Sequence, residues 1–172
     1  MNLSPVVLMQ FKNTVERILH VPGNYKGGVL EMAVVLDHNV SREAVQELVP
    51  QLFRILKMHS EVFRNVRLNM VQWESDERIS GQVAPMSMAG MTSYYEFYEC
   101  RPERKDFLKL VQYLKLFQAR AKLIILITDG ANEEGSGETL KAAMQPFLDK
   151  KLMQMVVKEW NEEFQDIQVC WR

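Results

Sequence analysis

Residues 121–130, Ala-Lys-Leu-Ile-Ile-Leu-Ile-Thr-Asp-Gly, constrain the fold of this chain more than any other stretch. Positions 123–127 are continuously apolar and rich in β-branched side chains, with no alternation of polar and apolar residues. A strand of that kind has no wet face and belongs at the centre of a sheet that is covered on both sides. Five residues are also far too few to cross a bilayer. The first expectation is an α/β domain, because helices laid on both faces bury such a strand completely.

The rest of the chain supplies the partners of that strand. Ser4 and Pro5 suit the cap and first position of a helix that continues through Leu8, Phe11, Val15, Ile18 and Leu19 to Pro22-Gly23. Residues 29–36 form a second run that is apolar on both faces, and it stops abruptly at Asp37-His38-Asn39-Val40-Ser41. Ser41 caps a helix with Ala44, Val45, Leu48, Leu52, Phe53 and Leu56 on its apolar side. Pro50 should kink or break that helix, since proline removes a hydrogen bond and crowds the preceding turn.

Residues 66–73 read as a strand and 78–83 as a weaker one, joined through Glu74-Ser75-Asp76-Glu77. So short a link makes a hairpin, which puts the second of these strands at an antiparallel edge. Residues 84–93 read as a loop. A helix is expected over 103–118, with Phe107, Leu110, Val111, Leu114 and Phe117 on one face. A glycine-rich loop at 129–137, a helix at 138–148 and strands at 152–157 and 167–171 complete the chain, the segment between the last two being open to a helical reading.

Strands alternating with helices give a doubly wound, mostly parallel sheet with helices on both faces. Right-handed crossovers bring the C-terminal ends of its strands to one rim, where ligands of such folds bind. No repeat, low-complexity tract or Pro/Gly/Ser linker divides the sequence, so residues 1–172 are expected to form one domain.

Charge and cysteine usage exclude several classes. With 21 Lys plus Arg against 22 Asp plus Glu, the chain lacks the basic excess of a nucleic-acid binder. Its densest basic group, Arg101, Arg104, Lys105, Lys109 and Lys115, is interrupted by Glu99, Glu103 and Asp106 and reads as a solvated helix face. Two cysteines, Cys100 and Cys170, make no disulfide scaffold; they read as free thiols, with a single bridge left open. Cys100 opens Cys100-Arg101-Pro102-Glu103-Arg104, but the glycine-rich run of a thiolate phosphate loop does not follow, so no catalytic role is expected there. Residues 1–10 have neither a basic n-region nor a cleavage site, and the expected location is cytoplasmic, away from membranes.

Three segments fall on the rim: 37–41, 89–93 and 128–130. They carry short side chains ending in carboxylate, amide or hydroxyl oxygens, the donors that hard divalent cations prefer. Asp37, Asn39 and Ser41 alternate, so in an extended turn they could face the same way, and Gly130 would let backbone pass close to the site. Glu133 and Glu134 add negative potential nearby.

These residues resemble the metal-ion-dependent adhesion site of von Willebrand factor A (VWA) domains. That family has Asp-x-Ser-x-Ser after its first strand, a threonine in a later loop and an aspartate in a Thr-Asp-Gly turn after its fourth strand. The corresponding positions are Asp37, Asn39, Ser41, Thr92 and Asp129, and residues 121–130 are very like the fourth strand. The resemblance runs from about residue 28 to residue 137. It implies a Rossmann-like six-stranded sheet with one antiparallel edge strand. It also implies Mg²⁺, with Mn²⁺ or Ca²⁺ as alternatives, at those five residues, and a protein partner whose acidic side chain completes the metal sphere. Asn39 departs from the pattern, replacing the first serine, and the threonine loop has one glycine, Gly90, where the family often has more. Residues 99–102 are also an unusual addition.

The function expected is therefore binding, not catalysis: a metal-dependent protein–protein interaction module. Its alternative is a metal-free scaffold whose polar rim merely caps helices and satisfies loop backbone. A phosphohydrolase of haloacid dehalogenase type also places an aspartate after a strand, but it needs an acid where Asn39 stands. No Walker A run is present, and Gly135-Ser136-Gly137 lacks the third glycine of a dinucleotide fingerprint. His20, His38 and His59 lack metal-ligand spacing. Met86, Met88 and Met91 either pack under their loop or form an adaptable apolar contact surface.

Overall fold

The computed structural model describes residues 5, 9, 13, 29–60, 65–84, 92, 94–121, 123–129, 153–160 and 165–171. The elements are β1 (Val29–Asp37), α1 (Arg42–Ser60), β2 (Asn65–Trp73), β3 (Ile79–Ala84), α2 (Phe107–Phe117), β4 (Leu123–Thr128), β5 (Met153–Trp160) and β6 (Gln165–Trp171). The chain is an α/β protein with a mostly parallel, mixed sheet and helices.

β1 lies between β2 and β4 and runs parallel to both, while β3 pairs with β2 antiparallel. The sheet then continues through β5 and β6, giving the order β3-β2-β1-β4-β5-β6. β4 and β5 are parallel, whereas β6 returns antiparallel to β5. The sheet thus has an antiparallel strand at each margin, not one. The cause is local: four residues separate β5 from β6, too few for the crossover that a parallel neighbour requires. Those two strands also extend into the segment that the sequence left open to a helix.

The central strands are buried on both sides, as their unbroken apolar runs require. Ala33 and Val35 of β1, Val71 and Trp73 of β2, and Ile124 and Leu126 of β4 pack with Phe107, Leu110, Val111 and Leu114 of α2. The alternate residues Met32, Val34, Leu36, Leu68, Met70, Ile125 and Ile127 point to the opposite face and are just as buried. α1 contributes buried Ala44, Val45, Leu48, Val49, Leu52 and Phe53, the apolar positions of its 3.6-residue period.

Two element boundaries differ from expectation. α1 continues through Pro50 to Ser60 instead of stopping there. In the turn that the proline crowds, the Gln51 side-chain amide donates to the Glu47 carbonyl at 2.9 Å. α2 begins at Phe107, four residues later than its charge pattern suggests. Asp106 is its cap, the carboxylate accepting from the Leu108 N–H at 2.9 Å. Residues 98–105 instead run as a non-helical strap. β3 spans one residue more at its end than expected and one fewer at its start.

Pro5, Met9 and Asn13 are helical and exposed. The apolar positions proposed for that first helix lie outside the described residues, as do the helix at 138–148, Gly130, Glu133, Glu134 and the three loop methionines. Among the described residues, no helix is long and apolar enough to cross a membrane.

Candidate functional site

Register explains why the rim is level. Asp37, the last residue of β1, pairs with Trp73, the last residue of β2, and Leu36 pairs with Ile127, one residue before the end of β4. Asp37, Trp73 and Thr128 therefore arrive together at the C-terminal ends of three adjacent parallel strands.

Asp37 is wholly buried, and both of its carboxylate oxygens are engaged. Oδ2 accepts from the Thr128 hydroxyl at 2.6 Å. Oδ1 accepts from the Asn39 N–H at 3.0 Å and from the Lys105 ammonium, with which Asp37 forms an ion pair. Both side chains of that pair are 0 % exposed. The ammonium also donates to the Trp73 carbonyl at 3.0 Å and lies 4.5 Å from the centre of the Trp73 ring. A buried ion pair is tolerable only when the remaining polar valences of both partners are met, and here strand ends supply them. The Trp73 ring meets Phe107 edge-on with centroids 6.0 Å apart, although its buried Nε1 has no hydrogen-bond partner among the described residues.

The strap is pinned across this rim. The Asn39 amide makes two reciprocal bonds to the backbone of Glu103, accepting from its N–H at 2.8 Å and donating to its carbonyl at 3.0 Å. The Tyr98 hydroxyl lies 2.6 Å from the Val40 carbonyl and 3.1 Å from the Asp37 carbonyl, tying the turn after β1. Burial, then Cys100, then the Asp37 and Asp129 carboxylates push the Tyr98 phenol far above its ordinary value. His38 is buried against the Tyr98 ring, its two nitrogens 3.1 Å from the Glu99 carbonyl and 2.6 Å from the Gln72 side-chain oxygen. The Arg101 N–H donates to the His38 carbonyl at 2.8 Å.

The five residues singled out from the sequence are thus distributed unevenly. Asp37 is the centre of the arrangement. Asp129 is half-buried and close enough to raise the Tyr98 phenol and the Cys100 thiol. Asn39 directs its side chain at the strap backbone. Ser41 caps α1, its hydroxyl accepting from the Ala44 N–H at 3.3 Å. Thr92 has helical backbone, and its hydroxyl lies 3.3 Å from that of Tyr95. Among the described residues, no three of His, Cys, Asp and Glu are grouped so as to hold a metal ion.

Lys105 is the rim residue that sequence reasoning missed. It had been assigned to a solvated helix face, yet it is neither solvated nor helical. Its neighbours Arg101, Pro102, Glu103, Arg104 and Asp106 are all exposed, so its composition context is that of a surface. Thr128 was placed on the rim by its position at the end of β4, but not among the candidate ligands.

Beside the rim, a cleft of about 460 Å³ lies between Ser41, Arg42 and Glu43 on one side and residues 98–101 on the other. Cys100 on its wall is a free, exposed thiol. Burial pushes its pKa up, Glu43, Asp129 and Asp37 push in the same direction, and Lys105 offsets them in part. That is the opposite of the activation a nucleophilic thiolate needs.

Compared with models of known protein families, the chain matches none. No curated protein matches it either.

Proposed function

We propose that this chain is a VWA-type protein–protein interaction domain that works without a divalent ion at its rim. In this reading the whole chain forms the Rossmann-like, six-stranded, doubly wound sheet, with helices on both faces. The burial of β1 on both sides supports it, as does the helix α1 connecting two parallel neighbours, β1 and β2. A cytoplasmic setting belongs to the same proposal and suits an exposed free thiol.

The observation that carries the proposal is the internal engagement of the rim. A resident Mg²⁺ needs oxygen ligands directed at one point in near-octahedral geometry. Asp37 gives both oxygens to protein donors, Asn39 grips the strap, and Ser41 caps a helix. With three of the five residues turned to protein partners in this way, the set is a poor match for the metal that the sequence pattern implies. What remains for a partner at this end is the outer side of the strap, where residues 99–104 are all exposed and carry both signs of charge. The Cys100 thiol beside the rim is pushed towards its protonated form, which does not favour a nucleophilic role for that residue.

Titration calorimetry with Mg²⁺ and Mn²⁺ tests the proposal. We expect no saturable heat from the wild-type chain or from Asp129→Ala. Saturable binding by wild type that Asp129→Ala loses would restore the metal-dependent module, in which a partner carboxylate completes the site. Steady-state hydrolysis of a phosphoester that Asp37→Asn abolishes would favour a hydrolase.

A further inference from the structure

We infer that the rim is a cation site whose resident cation is the protein's own Lys105, and that the site recognises a primary ammonium group by its N–H donors. The inference rests on the metal-free reading above and goes further, naming what the rim binds and by which chemistry.

An ammonium presents three N–H donors and no acceptor. The rim offers acceptors from two adjacent strand ends: the Asp37 carboxylate from β1 and the Trp73 carbonyl from β2. The face of the Trp73 ring lies within the range in which an aromatic quadrupole attracts a cation. Thr128 on β4 holds the other oxygen of Asp37, so the carboxylate cannot swing away. β-Sheet register sets the backbone of all three strand ends, while Thr128 holds the Asp37 side chain and Phe107 meets the Trp73 ring. The receptor is therefore built by the sheet and the ligand is delivered by the strap.

Delivery is equally defined. Two residues before Lys105, the backbone of Glu103 is clamped by the Asn39 amide. One residue after it, the Asp106 N–H donates to the Asp76 carboxylate at 2.8 Å and the Asp106 side chain starts α2. The lysine stem is held between two fixed points, so its ammonium is presented to the rim at a high effective concentration. A tethered cation of this sort keeps the site filled whatever the metal content of the surroundings.

Truncating the tether and supplying the head group separately tests this. Lys105→Ala in the full chain should lower the thermal midpoint by about 6–20 °C, as expected when a buried carboxylate loses its partner. Adding n-butylammonium or ethylammonium should raise the midpoint in a saturable way, following one-site linkage. Tetramethylammonium, which has the charge but no N–H, should leave it unchanged. Lys105→Met, whose side chain fills the space, should show no rescue. If Lys105→Ala does not fold, the yield of refolded protein with and without butylammonium is the readout.

The outcomes separate the two claims. Equal rescue by tetramethylammonium, or none by any amine, overturns the ammonium site. Rescue by Mg²⁺ in place of the amines also overturns it, since the rim would then be a metal site that lysine blocks. Saturable Mg²⁺ binding by wild type, lost in Asp129→Ala, would sink the metal-free reading itself, whatever the alanine variant does.

Discussion

Two ends of the same sheet make opposite use of polar and apolar groups. At the rim, a carboxylate, an ammonium and a histidine are buried and provided with partners. At the corner where α2 lies beside β3, large apolar groups face water: Leu116 is 76 % exposed, Phe117 65 % and Val83 57 %. Tyr113 stacks on Phe117 there with centroids 4.8 Å apart, and its hydroxyl approaches β3 at Gly81, where a Cβ would come within 2.6 Å. Hydropathy alone would rank these two regions the wrong way round. A buried charge has one satisfactory arrangement and is costly in any other, whereas a half-wet apolar side chain is tolerated in many. The rim should therefore govern stability and the corner should not.

The sharpest way to break that comparison is Asp37→Asn. It keeps the shape but removes the buried carboxylate charge that pairs with the Lys105 ammonium, and should cost about 3–5 kcal/mol in urea unfolding. A loss under 1 kcal/mol would mean that the ammonium escapes to water. Next in size, Tyr98→Phe removes the donor shared between the Asp37 and Val40 carbonyls and should cost about 1–3 kcal/mol. It should also change the alkaline limb. The folded Tyr98 phenol is raised above its ordinary 10.0, so its stabilisation is fully present below that value and is lost as pH climbs towards the folded one. The phenylalanine variant should lack that part of the fall in stability above pH 10.0, which pH-dependent unfolding would reveal.

A smaller effect is expected from Asn39→Ala, which frees the exposed backbone of Glu103 to water. About 0.5–1.5 kcal/mol should be lost, with faster hydrogen exchange at the Glu103 amide and little change in β1. Smallest of all, Phe117→Ser at the corner should stay within about 0.5 kcal/mol of wild type. A loss larger than that of Asn39→Ala would reverse the ranking of the two regions.

The sheet was legible in the sequence where both faces of a strand are buried. Residues 29–36 and 123–127 leave no wet face, and that pattern has one structural meaning. The hairpin of β2 and β3 followed from its short polar link. α2 was misplaced at its start because Glu103, Arg104, Lys105 and Asp106 have the composition of a helix surface, while the true cap is the fourth of them. Asp37 was legible because a carboxylate directly after a buried strand must lie at the rim. Lys105 was not, since nothing local marks a lysine that turns inward: its partner lies 68 residues earlier in the chain. Asn39 illustrates a third case, in which position was foreseen but direction was not. An amide can receive a cation or hold a peptide group, and only the strap's path decides between them.

That long separation has a kinetic consequence. Asp37 and Lys105 meet only when β1, β2 and the strap are all in place, so an assembling chain keeps both charges in water until those elements dock. Contacts made after the transition state leave the folding rate untouched and slow the reverse reaction. If the ion pair forms after the transition state, the rim acts as a brake on opening. A chevron for Asp37→Asn should show the whole effect in its unfolding limb, with the folding limb superimposed on that of the wild type.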